Sequence, residues 1–125
     1  MLTSGTAGET ITAGMSVYFN SSTSLWMKAD ANDTAVKSGS GTSYGIAACG
    51  SSNGQALSII TADSGGLTIG GTTTAGTVYV VSATAGGICP WADLTSTQYV
   101  TILGIGQASN KIKVFQGGAS GLTVA

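Results

Sequence analysis

Apolar and polar positions alternate along the chain in short runs, the pattern of half-buried strands rather than of helices. Met15-Ser16-Val17-Tyr18-Phe19 is the first run, and Asn20-Ser21-Ser22 breaks it. Leu25-Trp26-Met27-Lys28 follows closely, so the two segments read as a hairpin. Tyr44-Gly45-Ile46-Ala47 and Ala56-Leu57-Ser58-Ile59-Ile60 flank Ser51-Ser52-Asn53-Gly54, a turn sequence because Asn and Gly tolerate positive φ. Further strands are expected at Leu67-Thr68-Ile69, Thr77–Val81, Tyr99–Ile105, Lys111–Phe115 and Leu122-Thr123-Val124. The one helical candidate is a single turn between Asp30 and Val36, with Asp30 or Asn32 as its cap. Short strands at regular spacing, separated by glycine-rich turns, predict an all-β fold. The expected form is a compact β-barrel or sandwich of short antiparallel strands.

The pattern also echoes itself. Thr12-Ala13-Gly14 leads into Val17-Tyr18-Phe19, and Thr74-Ala75-Gly76 leads into Val78-Tyr79-Val80. Lys28-Ala29-Asp30 matches Trp91-Ala92-Asp93, and Tyr44-Gly45-Ile46-Ala47 matches Leu103-Gly104-Ile105-Gly106. The order is kept throughout. This predicts one domain over residues 12–125, built from half-repeats 12–62 and 74–116 packed about a pseudo-twofold, with the Ser64 to Thr73 region joining them. Residues 1–11, rich in Thr and Gly, would form an N-terminal arm outside the repeat.

Composition changes the picture mainly through charge. Only 7% of the 125 residues are charged, four lysines against five carboxylates, with neither Arg nor His; soluble domains average about 25%. Phosphate backbones are bound by clustered Lys and Arg, so nucleic acid is not an expected partner. No apolar run approaches the roughly 18 residues of a membrane span. The opening Met1-Leu2-Thr3-Ser4-Gly5 lacks the basic and apolar regions of a signal peptide, so cytoplasmic synthesis is expected. Aromatic residues make up 6% of the chain and glycine numbers 20. A modest core on a costly backbone favours a subunit that buries surface against partners.

Candidate chemistry is sparse. Without histidine there is no Ser-His or Cys-His pair to activate a nucleophile, so an enzyme is not expected. Glu9, Asp30, Asp33, Asp63 and Asp93 are scattered. Asp30 and Asp33 lie three apart, within reach of a calcium ion, but capping and turn formation account for both, and no cofactor is expected. Cys49 and Cys89 are too few for a disulfide framework and read as small, buried, reduced side chains. For binding, Trp26 and Trp91 fall near matching positions of the half-repeats, either as exposed anchors or as plugs at the barrel ends. Thr3, Thr6 and Glu9 on the arm complete the candidate interface, as residues that reach a neighbouring subunit.

The ordered series Gly8-Glu9-Thr10-Ile11-Thr12-Ala13-Gly14, Lys28-Ala29-Asp30, Tyr44-Gly45-Ile46-Ala47 with Gly54-Gln55, Ala75-Gly76-Thr77-Val78-Tyr79-Val80 and Thr101-Ile102-Leu103-Gly104-Ile105 resembles the small Gly/Ala/Thr-rich head decoration, or cement, proteins of tailed bacteriophages. The resemblance runs from about residue 8 to residue 116 and implies a β-barrel-like protein, commonly trimeric, seated on the outer capsid. It implies the major capsid protein and further copies of itself as partners, and the virion as its location. Trp26, Cys89 and Trp91 lie outside the pattern. The alternative is a carbohydrate-binding or adhesin-type β module of a phage tail fibre or cell surface, in which the tryptophans stack on sugar rings.

Overall fold

The computed structural model describes residues 2–68 and 73–118. Ten strands follow one another: β1 (Leu2–Thr6), β2 (Ser16–Asn20), β3 (Leu25–Lys28), β4 (Tyr44–Ala47), β5 (Ala56–Ile60), β6 (Asp63–Thr68), β7 (Val78–Val81), β8 (Ile88–Pro90), β9 (Ile102–Ala108) and β10 (Lys111–Gly118). A single helical turn, α1 (Ala35–Ser38), lies between β3 and β4, and a 3-10 turn at Trp91–Asp93 follows β8. The fold is all-β, as the alternation predicts. The expected strand at Leu122–Val124 and the end of the one at Leu67–Ile69 lie outside the described residues. The helical turn starts later than expected, because the Thr34 hydroxyl, not Asp30 or Asn32, accepts the Lys37 amide at 3.2 Å.

The strands form two five-stranded antiparallel sheets ordered β1-β5-β4-β2-β3 and β6-β10-β9-β7-β8. The second order is the first with every strand advanced by five places, so the repeat expected from sequence is a repeat of topology. It extends further than the half-repeats 12–62 and 74–116. The stretch expected to be a free arm contains β1, which pairs with β5 from Leu2↔Ile60 to Thr6↔Ala56. The region expected to be a joint contains β6, which pairs with β10. Arm and joint are therefore equivalent strands, each the outer member of its own sheet. Ala7 and Ile11 are buried as well, which an arm detached from the domain would not allow.

Hydrogen bonds fix the equivalence residue by residue. Gly14 N donates to Ala47 O and Gly76 N to Gly106 O, both at 2.8 Å. Ala47 N returns to Met15 O and Gly106 N to Thr77 O, again at 2.8 Å. Both turns require a left-handed residue, with φ of 89° at Gly14 and 84° at Gly76, and glycine adopts that conformation without a Cβ clash. Pairing then sets Val17 (opposite Gly45) against Tyr79 (opposite Gly104). The sequence match of Val17-Tyr18 with Val78-Tyr79 is thus out by one residue, which in a strand exchanges the two faces.

In the first unit Val17, Trp26, Ala47, Leu57 and Ile59 share one face and pack with Ala7 and Ile11. The outer strands of this sheet meet: Ala7 forms a parallel bridge with Trp26, and Gly8 N donates to Trp26 O at 2.8 Å. The sheet is thereby rolled around its own core. Tyr18, Tyr44, Ile46 and Ile60, on its other face, join Tyr79, Val80, Val81, Leu103, Ile112 and Val114 in a core shared with the second unit.

Candidate functional site

The five residues singled out from sequence do not converge. Trp26 is 3% exposed, its ring packed 5.5 Å from that of Phe19 inside the first unit, so it serves as a core plug and not as an interface. A Cβ at Gly5 would strike its indole, which shows how tightly β1 closes over it. Thr3 and Thr6 lie within β1 and are half-buried. Glu9 is tied to the end of β3, its carboxylate accepting the Lys28 amide at 3.0 Å with the Lys28 ammonium 4.0 Å away. Trp91 alone stands free, 61% exposed.

Nor are the two tryptophans counterparts. Phe19 pairs with Trp26 and Val81 with Ile88, while Val17 pairs with Lys28 and Tyr79 with Pro90. Ile88 therefore takes the place of Trp26, and Trp91 takes the place of Ala29, which is fully buried. Trp91 borders an open hollow of about 220 Å³ with Val78, Val80, Val100 and Ile102. These side chains come from β7, from the start of β9 and from the loop before it, and all are hydrocarbon or indole. Sequence periodicity gave no sign of the hollow, because Val78 and Val80 read equally well as core.

The carboxylates considered for calcium are engaged locally. Asp30 Oδ1 accepts the Asn32 amide at 2.9 Å, and Asp33 pairs with the Lys37 ammonium at 2.8 Å, so the calcium candidates act in a turn and in an ion pair one helical turn apart. That pairing raises the Lys37 pKa above the ordinary lysine value, chiefly through the hydrogen bond. No group of three metal-ligating side chains gathers among the described residues. Both cysteines are free; Cys49 is exposed, contrary to the expectation of burial, because it lies in the loop after β4. Cys89, in β8, is half-buried, and burial pushes its thiol pKa up against an opposing hydrogen bond with Ser82. The Thr101 hydroxyl is buried without a partner among the described residues.

Hydrogen bonds join the two units as well as the shared core. Ser16 N donates to Gly86 O at 3.0 Å, Gly86 N to Ala29 O at 2.8 Å, Ala31 N to Ser82 O at 2.9 Å and Tyr99 N to Ala31 O at 2.9 Å. Ser16 Oγ reaches Gly87 O at 2.7 Å, and the Tyr44 hydroxyl donates to Ile102 O at 3.2 Å. The β7–β8 loop thus seats on the first unit. A pseudo-twofold would seat the β2–β3 loop on the second unit in return, yet Ser21 to Ser24 are all exposed and no corresponding bond joins Ser24 to Val78 among the described residues. At the place of Ala29, whose carbonyl accepts the Gly86 amide, the second unit has Trp91, whose carbonyl accepts the Leu94 amide at 3.3 Å. No protein-family model matches this chain, and none of the curated proteins matches it either.

Proposed function

We propose that the chain is a virion structural protein, a decoration or cement protein that binds the outer surface of a phage head and reinforces it. It would do so as a homo-oligomer, a trimer by the resemblance, with the major capsid protein as its other partner. The observation that carries the reading is Trp91, 61% exposed beside an apolar hollow bordered by Val78, Val80, Val100 and Ile102, on a double-unit scaffold in which 7% of the residues are charged. Surfaces of that kind serve association rather than catalysis. The ordered turn and strand motifs that resemble capsid cement proteins supply the identity of the partner.

Trp91 on its own also favours the second reading, a carbohydrate module. Sugar sites combine an aromatic platform with polar groups placed for hydroxyls. Here the platform is flanked by Val78, Val80, Val100 and Ile102, and the other tryptophan is buried. The decoration reading is the better supported for that reason. Co-sedimentation with empty, expanded heads built from the major capsid protein of the same genome tests it. Saturable binding at a fixed ratio of copies per capsid subunit, with a higher temperature of head disruption, is the expected result. Absence from the head fraction, with retention on a glycan array, would replace it by the second reading.

A further inference from the structure

The loop ahead of β5 carries a reactive pair. Asn53 is the one asparagine of the chain that a glycine follows; Asn20, Asn32 and Asn110 precede Ser21, Asp33 and Lys111. The side-chain amide of an asparagine is open to attack by the backbone nitrogen of the next residue, and a glycine there has no Cβ to obstruct the approach. Asn53 and Gly54 are both exposed, so water and base reach them. The Asn53 side chain has no hydrogen-bond partner among the described residues. The turn itself demands the glycine. Gln55 N donates to Ser52 O at 3.0 Å, and Gly54 has φ of 85°, a conformation that residues with a Cβ rarely adopt.

Strand β1 keeps the pair from reacting. The attacking nitrogen is already engaged, since Gly54 N donates to Ala7 O at 2.8 Å and Ala7 N donates to Gln55 O at 2.9 Å. Ala7 is the fully buried residue just after β1, so the seat of β1 and the bond of Gly54 stand or fall together. That seat is weakly held. From Thr3 to Thr6, β1 offers hydroxyls and a glycine but no large apolar side chain, and Ser4 is exposed. Outer strands with few buried apolar contacts open locally at a fraction of the free energy of global unfolding.

We propose that Asn53 is a self-modification site, closed while β1 is seated and opened when β1 leaves its place beside β5. With β1 away, Gly54 N gives up its proton and attacks Asn53 Cγ. A C–N bond forms, the Cγ–Nδ2 bond breaks, and ammonia carries the proton away. The product is a cyclic imide. Water then opens the imide at either carbonyl, leaving aspartate or isoaspartate with no change of oxidation state. Either product adds a carboxylate to the five that the chain already has. Loss of ammonia makes the step one-way, so the residue keeps a lasting record of β1 opening.

Peptide mapping of the full-length chain in mildly alkaline buffer measures the conversion of Asn53. The folded chain should react about tenfold or more slowly than the same chain in concentrated urea, because the reaction follows the population of the open form. Gly5→Ala loosens β1 itself, since its Cβ would strike the Trp26 indole. Gly104→Ala is the control, a strain on the second sheet against Lys113 O that leaves β1 untouched. Gly5→Ala should speed the reaction about tenfold, and Gly104→Ala by less than about twofold. A folded chain that reacts as fast as the unfolded one would overturn the proposal. So would equal acceleration by the two variants, which would assign the reaction to global unfolding. If Gly5→Ala does not fold, amide hydrogen exchange of the unaltered chain decides the same point. The Gly54 amide should exchange together with β1 and ahead of the amides between β2 and β4. A Gly54 amide that exchanges only with those inner strands would remove β1 as the gate.

Discussion

The two β-units share one topology and differ in how each closes. In the first, Trp26 fills the space between β1 and β3, Ala7 bridges to it, and the outward residue after β3 is the small Ala29, which the second unit covers. In the second, Ile88 stands where Trp26 does, and the bulky side chain has moved to Trp91, where it faces solvent. One large aromatic is thus used inward in one copy of the unit and outward in the other. The unit needs a closed inner core in only one of its copies, and the other copy is free to present apolar surface. The same topology therefore closes around its large aromatic in one copy and exposes it in the other.

The largest effect expected from this comparison is at the inner core. Trp26→Ala should cost about 3–5 kcal/mol, the range for emptying a buried aromatic site. Ile88→Ala, at the equivalent half-buried position, should cost about 1–2 kcal/mol, since less surface leaves water there. Urea denaturation followed by circular dichroism measures both. Equal losses would mean that the second unit closes around Ile88 as tightly as the first does around Trp26.

A second pair sharpens the equivalence of the units rather than their difference. A Cβ at Gly45 would meet Ile60 O, and a Cβ at Gly104 would meet Lys113 O, so in each sheet the glycine lets the next strand approach. Gly45→Ala and Gly104→Ala should each destabilise the protein by about 1–3 kcal/mol, since backbone cannot move aside as a flexible side-chain end can. A large cost at one site with none at the other would break the residue-level match of the two sheets.

These same glycines mark what was legible in the sequence. Thr-Ala-Gly before a strand, and Tyr-Gly-Ile-Ala against Leu-Gly-Ile-Gly, are visible because backbone geometry restricts those positions to particular residue types. Strand β1 was not legible, because Thr3-Ser4-Gly5-Thr6 has little apolar alternation and its partner β5 lies far along the chain. Strand β8 was hidden for a related reason, with three residues ending in Pro90. The burial of Trp26 was beyond reach as well. Alternation states that a strand has two faces, but only the rolling of the sheet decides which face becomes a core. The mismatch of Val17-Tyr18 with Val78-Tyr79 shows the remaining limit, since similar residues one place apart in a strand lie on opposite faces. The Trp91 hollow was invisible for the same reason, because its aliphatic residues carry core-like signals and pack on the core from one side.

The smallest effect concerns a pair of threonines at equivalent places before β4 and β9. Thr42 donates its hydroxyl to Phe19 O at 2.5 Å, joining the chain ahead of β4 to β2. Thr101 is fully buried, and its hydroxyl has no partner among the described residues. Valine matches threonine in shape and removes only the hydroxyl, so the two substitutions ask the same question of two environments. Thr42→Val should cost about 1 kcal/mol, the net worth of one hydrogen bond. Thr101→Val should be neutral or should stabilise by up to about 1 kcal/mol, because a buried polar group that forms no bond is a penalty the valine lacks. The difference in denaturation midpoint between the two variants is the readout, and its sign carries the comparison. A loss of 1 kcal/mol or more for Thr101→Val would show that its hydroxyl is bonded in solution, and the two threonines would then be equivalent in energy as well as in position.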